Sequence, residues 1–217
     1  VKGGATTVFS IGGEQLFNSS VDAAGGDLDV VSDDVEITSE VRSAGGLFTL
    51  RPRDPSTPIV IGGPGGSGAG FFELDVNELA LLGNGFREII IGSDQTGAEI
   101  TIGDVNDSTA EVVFRDPLRI LNSKSGGEIH VVNKLIGEED AYLFVVGSGF
   151  TTTLSADIVQ GSSISIDDSI LIDGDITLTS NTGNVALGGS LGRFIGGLQD
   201  STDDTLTVNA PSGSVRF

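Results

Sequence analysis

Aspartate is the side chain best placed to do chemistry in this chain, and it comes in groups. Asp27, Asp29, Asp33 and Asp34 form one; Asp104 and Asp107 another; Asp167, Asp168, Asp173 and Asp175 a third; Asp200, Asp203 and Asp204 a fourth. Calcium takes several carboxylate and carbonyl oxygens from flexible loops, which turns rich in aspartate and glycine supply. Asp167, Asp168, Asp173 and Asp175 read as crowding a turn between two alternating runs, so they are the first place to look for that ion. No EF-hand loop is present, and Gly25-Gly26-Asp27-Leu28-Asp29 departs from the glycine–aspartate nonapeptide of calcium-binding β-rolls. Turn aspartates also cap backbone amides. That role, with diffuse screening by cations, is the expectation, and no cofactor is assigned.

Paired carboxylates also hydrolyse glycosides. Sugar sites need an aromatic platform, however, and the chain has one tyrosine, Tyr142, and no tryptophan. Arg51, Arg53, Arg115 and Arg119 are the clustered cations that suit an acidic sugar. Their settings, Arg51-Pro52-Arg53-Asp54-Pro55 and Arg115-Asp116-Pro117, read as salt-bridged turns. His130 is the only histidine; in Glu128-Ile129-His130-Val131 it takes the outward parity, with no nucleophile elbow beside it. Gly63-x-Gly65-x-x-Gly68 follows an apolar run at the dinucleotide-binding spacing. That motif needs a helix starting within the glycines, and Pro64, Gly66 and Gly70 oppose one there. No catalytic residue is assigned, and a polysaccharide-cleaving enzyme is kept as the alternative.

The elements that position these residues are short strands. Phe9/Ile11, Leu28/Val30, Phe48/Leu50, Ile89/Ile91, Ile129/Val131, Ile164/Ile166 and Ile170/Ile172 each alternate apolar with polar, one face inward. Gly25-Gly26-Asp27-Leu28-Asp29-Val30 is matched 20 residues later by Gly45-Gly46-Leu47-Phe48-Thr49-Leu50. Ile176-Thr177-Leu178 is matched 30 residues later by Leu206-Thr207-Val208, and Glu88-Ile89 is echoed 11 residues later by Glu99-Ile100. Such self-similarity is the mark of a solenoid of short strands. One stretch differs. Asp75 is a predicted N-cap with Glu78 three residues on, Leu74 and Leu79 stand at staple positions, and Gly83 is placed to end the helix. A short helical insertion near residues 75–82 is therefore expected between coils.

Composition sets the outer bounds. In 217 residues, 31 are acidic and 11 basic, a net charge of −20, with no cysteine. Such a surface repels phosphate backbones and anionic membranes, which argues against nucleic-acid partners. Absent cysteine removes disulfides and thiol chemistry. No apolar run approaches a membrane span, so membrane insertion is not expected. Hydrophobic residues at 38% suffice for a real core. Both ends stop in strand pattern and read as cut, so residues 1–217 are expected to be one β-helical repeat segment inside a longer chain.

Together these stretches resemble the filamentous-haemagglutinin-like surface proteins of bacteria. The likeness rests on Ile59-Val60-Ile61-Gly62-Gly63, Gly85-Phe86-Arg87-Glu88-Ile89-Ile90-Ile91-Gly92 and Phe114-Arg115-Asp116-Pro117-Leu118. It continues through Thr152-Thr153-Leu154-Ser155-Ala156-Asp157-Ile158 and Leu206-Thr207-Val208-Asn209-Ala210. The resemblance implies an all-β fold, a right-handed parallel β-helix, within an extracellular adhesin or fibre, and it carries no catalytic residues. Partners would be neighbouring coils, identical chains in a filament, or surface glycans.

Overall fold

Alternating strands that bury one face must stack on others like themselves, and here they do so as a parallel β-helix. The computed structural model describes residues 6–10, 12–65, 70–124, 126–188, 195–197 and 204–217. Coil one holds β1 (Thr7–Ser10), β2 (Glu14–Phe17) and β3 (Val21–Asp22); coil two holds β4 (Leu28–Ser32), β5 (Asp34–Ile37) and β6 (Val41–Arg42). Coil three contains β7 (Leu47–Pro52), β8 (Ile59–Ile61), β9 (Phe72–Leu74) and the helix α1 (Val76–Ala80). Coil four has β10 (Glu88–Ser93), β11 (Ile100–Ile102) and β12 (Glu111–Phe114), and coil five β13 (Leu118–Asn122), β14 (Ile129–Val131) and β15 (Lys134–Gly137). In coils six and seven single long strands, β16 (Leu143–Leu154) and β18 (Ile164–Ile172), turn the first corner, followed by β17 (Ile158–Gln160) and β19 (Asp175–Ser180). Coil eight has β20 (Val185–Leu187), β21 (Ile195–Gly197) and β22 (Thr205–Asn209), after which β23 (Val215–Arg216) begins another turn.

Every pairing among the described strands is parallel; three long ladders run along the rod, beside the short pairs β2–β5 and β3–β6. The first passes through β1, β4, β7, β10, β13, β16, β18, β20 and β23; the second through β9, β8, β11, β14, β16, β18 and β21; the third through β12, β15, β17, β19 and β22. Register stacks like on like. Leu28 lies beside Phe48, Phe48 beside Ile89, Ile89 beside Leu118 and Leu118 beside Leu143. On the second face Ile59, Ile100 and Ile129 form a matching column, all of them buried. Each large apolar side chain so buried contributes about 1.5–3 kcal/mol. The repeats read from the sequence are these columns. Asp27 accepts the Leu47 amide 20 residues away, and Ile176 pairs with Leu206 one coil on. The Glu88/Glu99 echo is different: Ile89 and Ile100 belong to separate ladders, so that offset is the step from face to face within one coil.

The helix forms where its caps predict. Asp75 accepts the amides of Asn77 and Glu78 while Glu78 reaches back to the Asp75 amide, completing the capping box. Leu74 and Leu79 are both buried. Gly83 does not end it in the left-handed region as expected. The C-cap is Leu81 at φ −87°, and the left-handed glycine is Gly85, at φ 126°. Instead Gly83 donates to the Val41 carbonyl, and Val41 donates to Leu81, so the helix ends by joining β6. Its side packs on β12, filling the third face between coils two and four.

Coil three also runs out of sequence order. After β8 the chain returns and lays β9 beside it, on the side facing β5. No ladder joins β5 and β9. Carboxylates join them instead: Asp34 Oδ1 accepts the Glu73 amide at 3.0 Å, and Glu78 Oε1 accepts the Ile37 amide at 2.8 Å.

Candidate functional site

The aspartates singled out for calcium are separated by the strand they sit on. Asp167 and Asp168 lie within β18, not in a turn: β18 pairs with β16 on both sides of the corner, with a shift of register between Val146 and Thr151. Asp168 is 1% exposed. It accepts from the Thr152 hydroxyl at 3.0 Å and from the Ser169 amide, beneath Gly147, where a Cβ would meet its carboxylate. Asp173 accepts from the Ser155 hydroxyl, whereas Asp175 is exposed at the start of β19. Among the described residues no three Asp, Glu or His side chains converge to hold a metal ion. Asp104 and Asp107 cap turns, accepting the amides of Asn106 and Thr109, whereas Asp27, Asp33, Asp34 and Asp204 accept amides from other coils, those of Leu47, Gly13, Glu73 and Gly174. Asp200 and Asp203 lie outside the described residues.

Three of the four clustered arginines, Arg51, Arg115 and Arg119, pair between coils, not within their own turns. Arg51 meets Asp29 at 2.9 Å, Arg119 meets Glu88 at 2.8 Å, and Arg115 approaches Glu138 at 3.7 Å. Asp116 is buried and accepts the Gly85 amide. Burial pushes its carboxyl above the usual carboxylate range. Glu88 also takes the Tyr142 hydroxyl at 2.7 Å, and the Arg119 guanidinium lies 4.7 Å from the centre of the Phe144 ring. This network spans three coils and fastens them. His130 is half-buried, 3.4 Å from Glu128 and flanked in register by Thr101 and Thr153. Near the glycine-rich motif the helix begins only at Asp75, as its capping residues predicted; residues 66–69 lie outside the described ones.

The concave feature that does emerge lies on the outside of the second face. In register, outward Glu73 of β9 stands beside Val60 of β8, which stands beside Thr101 of β11. With Pro64, Phe71, Glu99 and the turn Gly103–Asn106 they line a groove of about 400 Å³. Two wall residues are apolar and open to solvent, Phe71 at 48% and Val105 at 74% exposure. Glu73 Oε1 accepts the Gly65 amide at 3.2 Å. Side chains at Gly63 and Gly65 would collide with Glu73 and with Asp75, so both glycines are needed for the loop to come this close. Glu99 Oε1 accepts from the Thr101 hydroxyl at 3.0 Å. Desolvation raises the Glu73 carboxyl above its ordinary range, and Asp34, Asp75 and Asp104 add repulsion.

Neither Glu73 nor Glu99 stands out in the sequence as a site residue. They line one groove because β9 is laid beside β8, which pairs with β11. The one available sign was the glycine-rich loop before β9. Comparison with family models, curated proteins and solved structures finds no match to the chain. Among the described residues no helix is long and apolar enough to cross a membrane.

Proposed function

We propose that this chain is a non-enzymatic structural and adhesive segment of an extracellular bacterial surface protein or fibre, of the filamentous-haemagglutinin-like kind. What supports the reading is the first ladder, which runs from β1 to β23 and is fastened between coils by the pairs Arg51–Asp29 and Arg119–Glu88. A rod whose outward ionic groups bridge neighbouring coils is suited to spacing and to presenting a lateral surface. A net charge of −20 suits an exported, solvated rod.

Polysaccharide cleavage is the second reading, favoured by one observation. Glu73 and Glu99 line the same groove, and glycosidases act with a pair of carboxyl groups. One experiment separates the two. The protein is passed over immobilised neutral and acidic polysaccharides, and the eluate is assayed for new reducing ends and unsaturated uronates. Retention without cleavage is the expected result. Turnover that disappears in Glu73→Gln or Glu99→Gln would replace the adhesive reading with the enzymatic one.

A further inference from the structure

The groove on the second face combines three features that select one kind of ligand. Its carboxylates are Glu73, Glu99 and Asp104, and no lysine or arginine lines it. Each carboxylate engages the chain through one oxygen only: Glu73 Oε1 with Gly65, Glu99 Oε1 with Thr101, and Asp104 Oδ1 with Asn106. No hydrogen bond or ion pair among the described residues reaches Glu73 Oε2, Glu99 Oε2 or Asp104 Oδ2. Exposed Phe71 and Val105 line the same groove, an aromatic side chain for a cation and an apolar wall for methylene groups.

The geometry points to a binding site for a linear aliphatic polyamine, its ammonium groups on the three carboxylates and its methylene chain along Phe71 and Val105. A simple divalent cation leaves the apolar wall unused, and a neutral sugar leaves the charge unanswered. A ligand with several ammonium groups on a flexible apolar chain answers both, and a volume of about 400 Å³ lies within the usual range of small-molecule sites. This goes beyond the structural role proposed above, and its failure would leave that role standing.

Calorimetric titration of spermidine into the folded protein tests it. One saturable site is expected. The double variant Glu73→Gln, Glu99→Gln should weaken it at least about tenfold, as loss of charge-assisted contacts implies, and Phe71→Ala by about two- to fivefold. Neutralising exposed Glu139 and Asp140, in the turn after β15, removes the same charge and should leave the affinity unchanged. Val105→Lys changes a residue that is 74% exposed, so it spares the core while placing the chain's own ammonium in the groove; it should abolish binding. Several results would each overturn the site. Binding that never saturates, or that falls equally in both charge-removing doubles, would mean that spermidine is held only by the overall negative field. Full competition by magnesium at matched charge would mean the same. Tri-lysine binding without spermidine binding would make the occupant a partner's basic segment. Tighter binding of a neutral oligosaccharide would make the groove a sugar site.

Discussion

Coils five to seven and coil three solve the same problem in different ways. From β13 to β19 each strand takes its backbone partners from the coils beside it, and the columns Leu118–Leu143–Ile164 and Leu135–Ile158–Leu178 stack without interruption. In coil three β9 is wedged between β5 and β8, and a helix stands where the third face would carry a strand. There the amides that lack a ladder partner are met by carboxylates, Asp34 for Glu73 and Glu78 for Ile37 and Asp75. A solenoid thus tolerates an insertion wherever side chains supply the acceptors that a missing strand would have offered. The consequence is electrostatic. Burial pushes the Glu78 carboxyl up to about 7, with Asp75 and Glu36 adding repulsion against the two amides that favour its charge; Asp34 and Glu73 are raised as well, chiefly by burial.

The largest effect should come from the regular region. Ile129 is 0% exposed between Ile100 and Thr152, and Ile129→Ala should cost about 2–5 kcal/mol in urea unfolding. A loss below about 1 kcal/mol would mean that the column relaxes into the space and is less tightly packed than its register implies. Next, Glu78→Ala strands two buried amides and should cost about 2–4 kcal/mol, with Glu78→Gln, which keeps one acceptor, losing less. If both variants melt like the wild type, carboxylates are not what holds the insertion.

Glu78 also gives the insertion a pH dependence. Its folded pKa lies above the unfolded value, so the folded protein holds the proton more tightly. Its contribution is complete below pH 4.5 and is lost as pH rises through about 7. Stability should therefore fall across that window, and Glu78→Gln should flatten the curve. A wild-type profile that rises with pH, or a variant profile as steep as the wild type, would contradict this assignment. A smaller change is expected for Tyr142→Phe, which removes one of the donors to buried Glu88 and should cost about 1 kcal/mol. Smallest of all is Lys134→Ala. The Lys134–Glu111 pair, at 2.8 Å, is open to solvent on both sides, and such pairs add little. Its melting curve should overlay the wild type. A shift matching that of Glu78→Ala would erase the distinction between surface pairs and buried staples.

Much of the fold was legible because burial imposes a period of two. Leu28, Phe48, Ile129 and Ile164 declare their inward parity, and the offsets of 20 and 30 residues reappear as register between coils. The capping box at Asp75 and Glu78 was equally plain, since it depends on residues within one turn. Asp167 and Asp168 misled for the opposite reason. A pair of aspartates between two alternating runs reads as a turn, whereas β18 continues through the corner as strand, its register with β16 shifting between Asp167 and Ser169, and Thr152 supplies a hydroxyl inside. The partner that makes a buried aspartate tolerable comes from another coil.

What the sequence by itself determined is the local and periodic part: short strands, a parallel stack of them, a helix between Asp75 and Leu81, and a surface of strongly negative charge. Only the tertiary structure decided that β9 lies beside β8 out of chain order. It thereby put Glu73 near Glu99, walled them with Phe71 and Val105, and left Glu78 buried against Ile37. Periodicity reports which face of a strand is inward. It carries no information on which strand comes to lie beside which once the chain doubles back, because that choice is made by the fit of whole coils and by the distant groups that satisfy their backbone.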